Sequence, residues 1–283
     1  PPIPYQPIIL LGAARSGTKL LRDLIAQHPD VEAIPYDVNF IWRLADPYLN
    51  HDELDPATLS SESRDKIVTQ LSYYWRDSAF LIEKTVSNSL RVPFVNAVFP
   101  DALFIHLIRD GVDVVESSFR QWNSPPNWPY LLRKASSFPL SVAYDYAFSY
   151  ARRALRHTIR RVRDNHDIWG PKYKGIEADL DQRSLLEVVA LQWAHCVLRS
   201  RNDLKNIPSE RQLPIRYEEF VRNPTDYLDQ ISAFVGIAPI IWDRIDSVTW
   251  ELIGRGHRSL TEEQYRQIRP IVDQVESHLK LVG

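Results

Sequence analysis

Methionine is absent from the 283 residues, cysteine occurs once, and no apolar run reaches the roughly 18 residues that a membrane-spanning helix needs. The lone Cys196 excludes an internal disulfide, and no group of cysteines and histidines has the spacing of a zinc site. An Asn-x-Ser/Thr acceptor is also missing, because Asn223 is followed by Pro224. The two absences fit a reducing, cytoplasmic setting. The chain starts at Pro1 without an initiator methionine, which leaves room for a removed leader or anchor. A charge excess is lacking too. Against 36 acidic residues stand 34 Lys and Arg, and the net charge of −2 gives no global attraction to nucleic acid or to an anionic membrane. Repeats, low-complexity tracts and glycine- or serine-rich linkers are absent, so the expected organisation is a single domain over 1–283 with a helical insertion at about 121–205.

What is present is concentrated near the N-terminus. Ile8-Ile9-Leu10-Leu11 reads as a strand buried on both faces, and Leu20, Leu21, Leu24 and Ile25 have helical spacing. Between them Gly12 to Gly17 forms a tight loop. Such a loop aims several backbone N–H groups and the positive end of a helix dipole at one point, and Arg15 and Lys19 add full charges. A phosphate is the expected occupant, and a turn that binds nothing is the alternative. The magnesium-dependent loop Gly-x-x-x-x-Gly-Lys-Ser/Thr is the nearest general pattern. Here Thr18 stands where its lysine belongs, Lys19 comes one residue late and apolar Leu20 follows, so both key side chains of that pattern are missing.

Further strands are expected at Ala79 to Ile82, Leu103 to Ile108 and Leu213 to Arg216. Helices are expected through Ile67, Leu71 and Tyr74, over Arg91 to Phe99, Leu185 to Leu204 and Pro224 to Val235, and from near Thr261 onward. Asn50 to Arg64 reads as a surface connection. Gln121 to Gly175 reads as an insertion containing Pro125-Pro126 and an arginine-rich helix from Ser141 to Asp164. The fold class is therefore α/β, a central parallel sheet with a nucleotide-binding phosphate loop and flanking helices. Right-handed crossovers bring all strand ends to one edge, where ligands of open sheets bind. Arg15, Lys84 and Arg109 each follow a strand, and three cations in one crevice are costly unless an anion neutralises them.

Two stretches together resemble the sulfotransferase family, whose members use 3′-phosphoadenosine 5′-phosphosulfate (PAPS) as sulfuryl donor. Arg15-Ser16-Gly17-Thr18-Lys19 is similar to its 5′-phosphosulfate loop, with Lys19 in place of the final threonine. Arg109 and Ser117, eight positions apart after a strand, match its 3′-phosphate motif. An arginine fork can hold two phosphate oxygens while a serine on the following helix donates a third bond. Glu83-Lys84-Thr85, Arg216-Tyr217-Glu218-Glu219 and Gly254 to Arg258 also look like the family. The resemblance implies that Tyr217 lies near the adenine, that Arg255 and Gly256 contact the 3′-phosphate, and that Ser16, Gly17, Thr18, Lys19 and Leu20 cradle the phosphosulfate. It also points to a bacterial source and to no resident metal.

Sulfuryl transfer needs in-line geometry and positive charge on the leaving oxygen, which Arg15 and Lys84 are expected to supply. The acceptor hydroxyl needs a base. Members with a histidine two positions after the lysine do not resemble this chain, which has Val86 there. His28-Pro29-Asp30 resembles the tyrosine-sulfating group, whose carboxylate follows the first helix. Counting from it makes Asp37 the candidate base within one residue, with Glu83 as runner-up. The expected acceptor is a glycan, since Trp122, Trp128, Tyr130, Trp169 and Tyr173 offer faces for stacking on sugar rings, although such residues also simply pack. Arg152, Arg156, Arg160 and Arg163 form a basic helical face suited to an acidic acceptor or to solvent. Tyrosine- or lipid-directed transfer, a magnesium-dependent kinase and a non-catalytic binding protein that has lost its base are the competing readings. The sequence leaves the oligomeric state open.

Overall fold

Residues 3–124, 168–243 and 245–280 are described by a computed structural model. Five strands, β1 (Gln6–Leu11), β2 (Val31–Ala33), β3 (Phe80–Glu83), β4 (Leu103–Ile108) and β5 (Gln212–Arg216), form one sheet in the order β2-β3-β1-β4-β5. All four pairings are parallel, with Ile8 opposite Ile82 on one side and Leu103 on the other. This is the expected α/β class. The chain leaves β1 toward β2 on one side and leaves β4 toward β5 on the other, so β1 and β4 flank the switch point, the usual ligand edge of an open sheet.

The buried run in β1 explains its central place. Ile9 and Leu11 join one apolar cluster with Ile41, Trp42, Val92 and Phe94, whereas Ile8 and Leu10 join another with Leu21, Ile25, Phe220 and Ile231. Side chains alternate across a strand, so four consecutive apolar residues serve both faces. Helices α1 (Thr18–Ile25), α2 (Asn39–Trp42), α3 (Ser61–Ser72), α4 (Val92–Val98) and α5 (Gly111–Trp122) precede the insertion. After it come α6 (Ile176–Gln182), α7 (Leu185–Leu204), α8 (Tyr217–Arg222), α9 (Pro224–Val235), α10 (Arg255–Ser259) and α11 (Glu262–Lys280). The predicted spans of α7 and α9 coincide with the observed ones. A Ser184–Glu187 capping box starts α7 and left-handed Gly236 ends α9, both signals that sequence carries.

One strand carries no signal in the sequence, and one expectation needs correction. The passage from Val31 to Trp42 contains the edge strand β2, three residues too short for a periodic signal, held by Ile34 N–H donating to the Ile82 carbonyl. The stretch from Asn50 to Arg64 is not all surface. Asp52 and Leu54 are buried, and α3 already begins at Ser61. Residues Pro1–Trp122 and Gly170–Gly283 form one compact unit, and Asn123–Trp169 divides from it as a second. Pro125, Pro126, Trp128, Tyr130 and the arginine-rich stretch from Ser141 to Asp164 lie outside the described residues. Among the described residues no helix is long and apolar enough to cross a membrane.

Candidate functional site

The loop after β1 adopts the geometry that an anion requires. Arg15 has φ 68° and Gly17 φ 95°, two left-handed residues on either side of Ser16. Gly17 is the N-cap of α1 and no side chain caps that helix, so its first N–H groups remain available. Glycine is needed here for space as well, since a Cβ at Gly17 would lie 2.5 Å from the Tyr217 ring. Gly12 is similarly crowded, with Thr18 Cγ2 and the Leu107 carbonyl both under 3 Å from a Cβ. Ser16 is buried, and its Oγ has no hydrogen-bond partner among the described residues. A buried hydroxyl without a partner is costly, and a phosphate oxygen in the loop would satisfy it. Lys19 is directed outward, its exposed side chain pairing with Asp23 at 3.6 Å, and half-buried Leu20 packs against the apolar cluster around Ile8.

The second anion motif meets the first. Arg15 Nε donates to Ser117 Oγ at 3.0 Å, and one Arg109 amino group donates to the Arg15 carbonyl at 3.3 Å. Arg109 is buried at the end of β4, its guanidinium 4.3 Å from the centre of the Tyr217 ring. Its Nε has no partner among the described residues, so the buried cation retains an unused donor. Desolvation, together with nearby Arg120 and Arg109, holds the Arg15 guanidinium below its ordinary pKa, while Glu116 opposes the shift. Like charges this close favour an anionic guest. The residues present therefore fit a nucleotide with two phosphate groups: an open helix N-terminus and Arg15 for one, Arg109 and Ser117 for the other.

Arg255 and Gly256 open α10. Arg255 is exposed, whereas Gly256 is buried against α5, where a Cβ would lie 2.4 Å from the Val112 carbonyl oxygen. Asp113, on α5, accepts from the Gly254 and Gly256 backbone N–H groups at 2.8 and 2.7 Å and pairs with Arg109 at 3.6 Å. Sequence reasoning passed over Asp113, although its four-residue spacing from Arg109 is the signal that would have found it.

On the other side of β1, Lys84 follows β3 directly. Asp37 joins this segment: its carboxylate accepts from Val86 N–H at 3.0 Å and from Asn39 N–H at 3.2 Å. Asp37 thus sits against Val86, two positions after Lys84. Glu83 is buried. Burial pushes its carboxyl up to about 7, with Asp37 adding to the rise, while Thr85 and Arg91 oppose it. Glu83 accepts from Asn88 Nδ2 at 2.6 Å, and behind Asn88 lies a polar cluster that the sequence did not announce. Arg91, fully buried, donates to Asn88 at 2.9 Å and Asn39 at 2.7 Å and lies near the Trp42 ring. Asp52 accepts from Asn39, Arg43, Ser87 and the Lys172 backbone N–H. Burial lowers Arg91 to about 10, and Asp52 and Glu83 resist that fall.

Of the aromatic residues considered for an acceptor, Tyr173 is packed away. It is 1% exposed, stacks on His195 with ring centres 4.1 Å apart and donates to Asp179. Trp122 is half-buried and donates to Gln192 at 3.3 Å. Among the described residues no group of three or more His, Cys, Asp or Glu side chains is arranged to hold a metal ion.

Comparison with known proteins gives a family and a fold. The sulfotransferase family profile matches residues 7–168, more than half of the chain. Among solved structures, a sulfotransferase from Alicyclobacillus acidocaldarius is similar, with 17% identity and a TM-score of 0.51 over 98% of this chain and 95% of that one. Sulfotransferase STF9 from Mycobacterium avium is 16% identical, with a TM-score of 0.54 over 97% of this chain and 76% of that one. No curated protein matches the sequence.

Proposed function

The chain belongs to the sulfotransferase family, and on that premise we propose that it transfers the sulfuryl group of PAPS to an acceptor hydroxyl, with a carbohydrate as acceptor class. The observation that carries this reading is the junction of the two anion motifs, Arg15 Nε to Ser117 Oγ at 3.0 Å and Arg109 to the Arg15 carbonyl at 3.3 Å. A single-phosphate site would not need both. When bound, the donor supplies a sulfuryl group on a good bisphosphate leaving group.

The chain's own residues supply position, charge and proton handling. Ser16 offers its unpartnered hydroxyl, and Gly17, Thr18 and Leu20 offer loop and helix N–H groups, to the phosphosulfate, with the Lys19 charge nearby. Arg109 and Ser117 take the 3′-phosphate with Arg255 beside them, Gly256 lets that turn close on α5 with its N–H held by Asp113, and Tyr217 borders the adenine. Arg15 and Lys84 balance charge on the leaving oxygen without needing a metal. Asp37 accepts the acceptor's proton, and Glu83 is the second candidate for that role.

The test is transfer of radiolabelled sulfate from PAPS to a panel of glycans, peptides and lipids. Labelled glycan supports the full reading. Labelled peptide or lipid alone would move the acceptor class, and no labelled product under conditions where the donor binds would favour a non-catalytic relative.

A further inference from the structure

We propose that Asp113 is a positioning residue that gives the site its preference for a nucleotide carrying a 3′-phosphate. The inference rests on the two-phosphate reading above and adds a residue that this reading does not use. Asp113 lies in the first turn of α5 and is 2% exposed. A buried carboxylate must be paired and hydrogen-bonded, and its partners among the described residues all belong to one corner of the crevice. Its two oxygens accept from Gly254 and Gly256, more than 140 residues later in the chain, and the Gly254 acceptor oxygen also lies 3.6 Å from Arg109.

Further contacts show what the carboxylate holds together. Arg109 donates to the Leu252 carbonyl at 3.0 Å, just before the clasped turn. Gly254 has φ 69°, and Gly256 presses on the Val112 carbonyl so closely that a Cβ could not fit. Asp110 accepts from the Asp113 backbone N–H at 2.9 Å and lies 3.3 Å from His257, a lesser tie between the same two segments. Asp113 therefore sets both the direction of the Arg109 fork and the approach of the turn that begins α10. A phosphate beside Arg109 would meet a guanidinium that is already aimed and whose Nε has no partner among the described residues, whereas the 5′ end of the nucleotide sits on the separate loop after β1. Pre-set donors bind more tightly than donors that must be ordered on binding.

The experiment compares binding of 3′,5′-phosphoadenosine and of 5′-AMP, which lacks the 3′-phosphate, by calorimetry on the wild-type chain, Asp113→Asn and Asp113→Ala. The expected result is a fall of about ten-fold or more in the ratio of the two affinities in Asp113→Ala, a smaller fall in Asp113→Asn, and AMP binding within about two-fold of wild type. An unchanged ratio in folded variants overturns the role of Asp113 and leaves the two-phosphate reading intact. A wild-type chain that does not prefer 3′,5′-phosphoadenosine overturns that reading, and the proposal with it. Should the variants fail to melt cooperatively, tryptic cleavage after Arg255 in the wild-type chain decides. Stronger protection by 3′,5′-phosphoadenosine than by AMP at equal saturation supports the proposal, and equal protection overturns it.

Discussion

Arg15 and Ser117 stand 102 residues apart in the chain, yet the Arg15 Nε donates to the Ser117 Oγ at 3.0 Å. The loop after β1 and the helix after β4 are thus one crevice. Ser117→Ala should weaken 3′,5′-phosphoadenosine binding by about ten-fold, the usual scale for a hydrogen bond involving a charged group. Arg15→Ala should lower kcat by about 10² to 10³ in a sulfate-transfer assay, as loss of one positioned donor does. Near wild-type turnover in Arg15→Ala would remove this residue from the chemistry.

Gly17→Ala should lose both stability and donor binding. The new Cβ would meet the Tyr217 ring at 2.5 Å in a backbone with φ 95° that alanine resists. The left-handed conformation alone costs about 1–2 kcal/mol. A melting temperature equal to wild type would show that Tyr217 can move aside freely.

The base assignment separates two carboxylates. Asp37→Asn should leave binding of 3′,5′-phosphoadenosine unchanged and abolish transfer, while Glu83→Gln retains it. Full activity in Asp37→Asn, together with loss in Glu83→Gln, would transfer the role to Glu83.

Glu83 also sets a pH dependence of stability. Its folded pKa is raised from 4.5 to about 7, so between those values the native chain binds more protons than the unfolded one and stability falls as pH rises. The shift corresponds to about 3 kcal/mol at most. His106 acts in the opposite sense, because burial lowers it to about 4 and protonating it below about 6.5 destabilises the fold. The readable quantity is therefore the difference between chains. Glu83→Gln should gain stability over wild type as pH rises from 5 to 8, measured by denaturant unfolding at each pH. A pH-independent difference would contradict the buried, proton-holding role.

Arg91→Ala should be strongly destabilising, by about 3–5 kcal/mol, because Asp52 keeps its buried charge and loses a compensating cation. Arg91→Met, paired with Asp52→Asn, should recover part of that loss in a double-mutant cycle. Additive losses would mean that the two residues do not share one network.

What sequence disclosed follows from how local each signal is. The strand, loop and helix from Gln6 to Ile25 were readable because apolar runs and glycines act within a few residues of themselves. Arg109 and Ser117 stood out by their spacing, the first just past β4 and the second on α5. The strand β2 escaped, since three residues carry no period, and buried Asp52 looked like any loop aspartate. Asp113 and Arg91 do their work through partners far along the chain, and a polar residue shows nothing of such partners until the fold brings them together. Lys19 is the converse case. Its place beside the loop made it a candidate ligand, yet the side chain pairs outward with Asp23, four residues on along the same helix.

The central claim is that this crevice holds a two-phosphate nucleotide without magnesium. Thermal melting with 3′,5′-phosphoadenosine in the presence of a chelator tests it directly. At about 100 times the dissociation constant the bound nucleotide should add about 2.7 kcal/mol and raise Tm by several degrees. Stabilisation by magnesium-ATP alone, with no shift from 3′,5′-phosphoadenosine, would contradict the account.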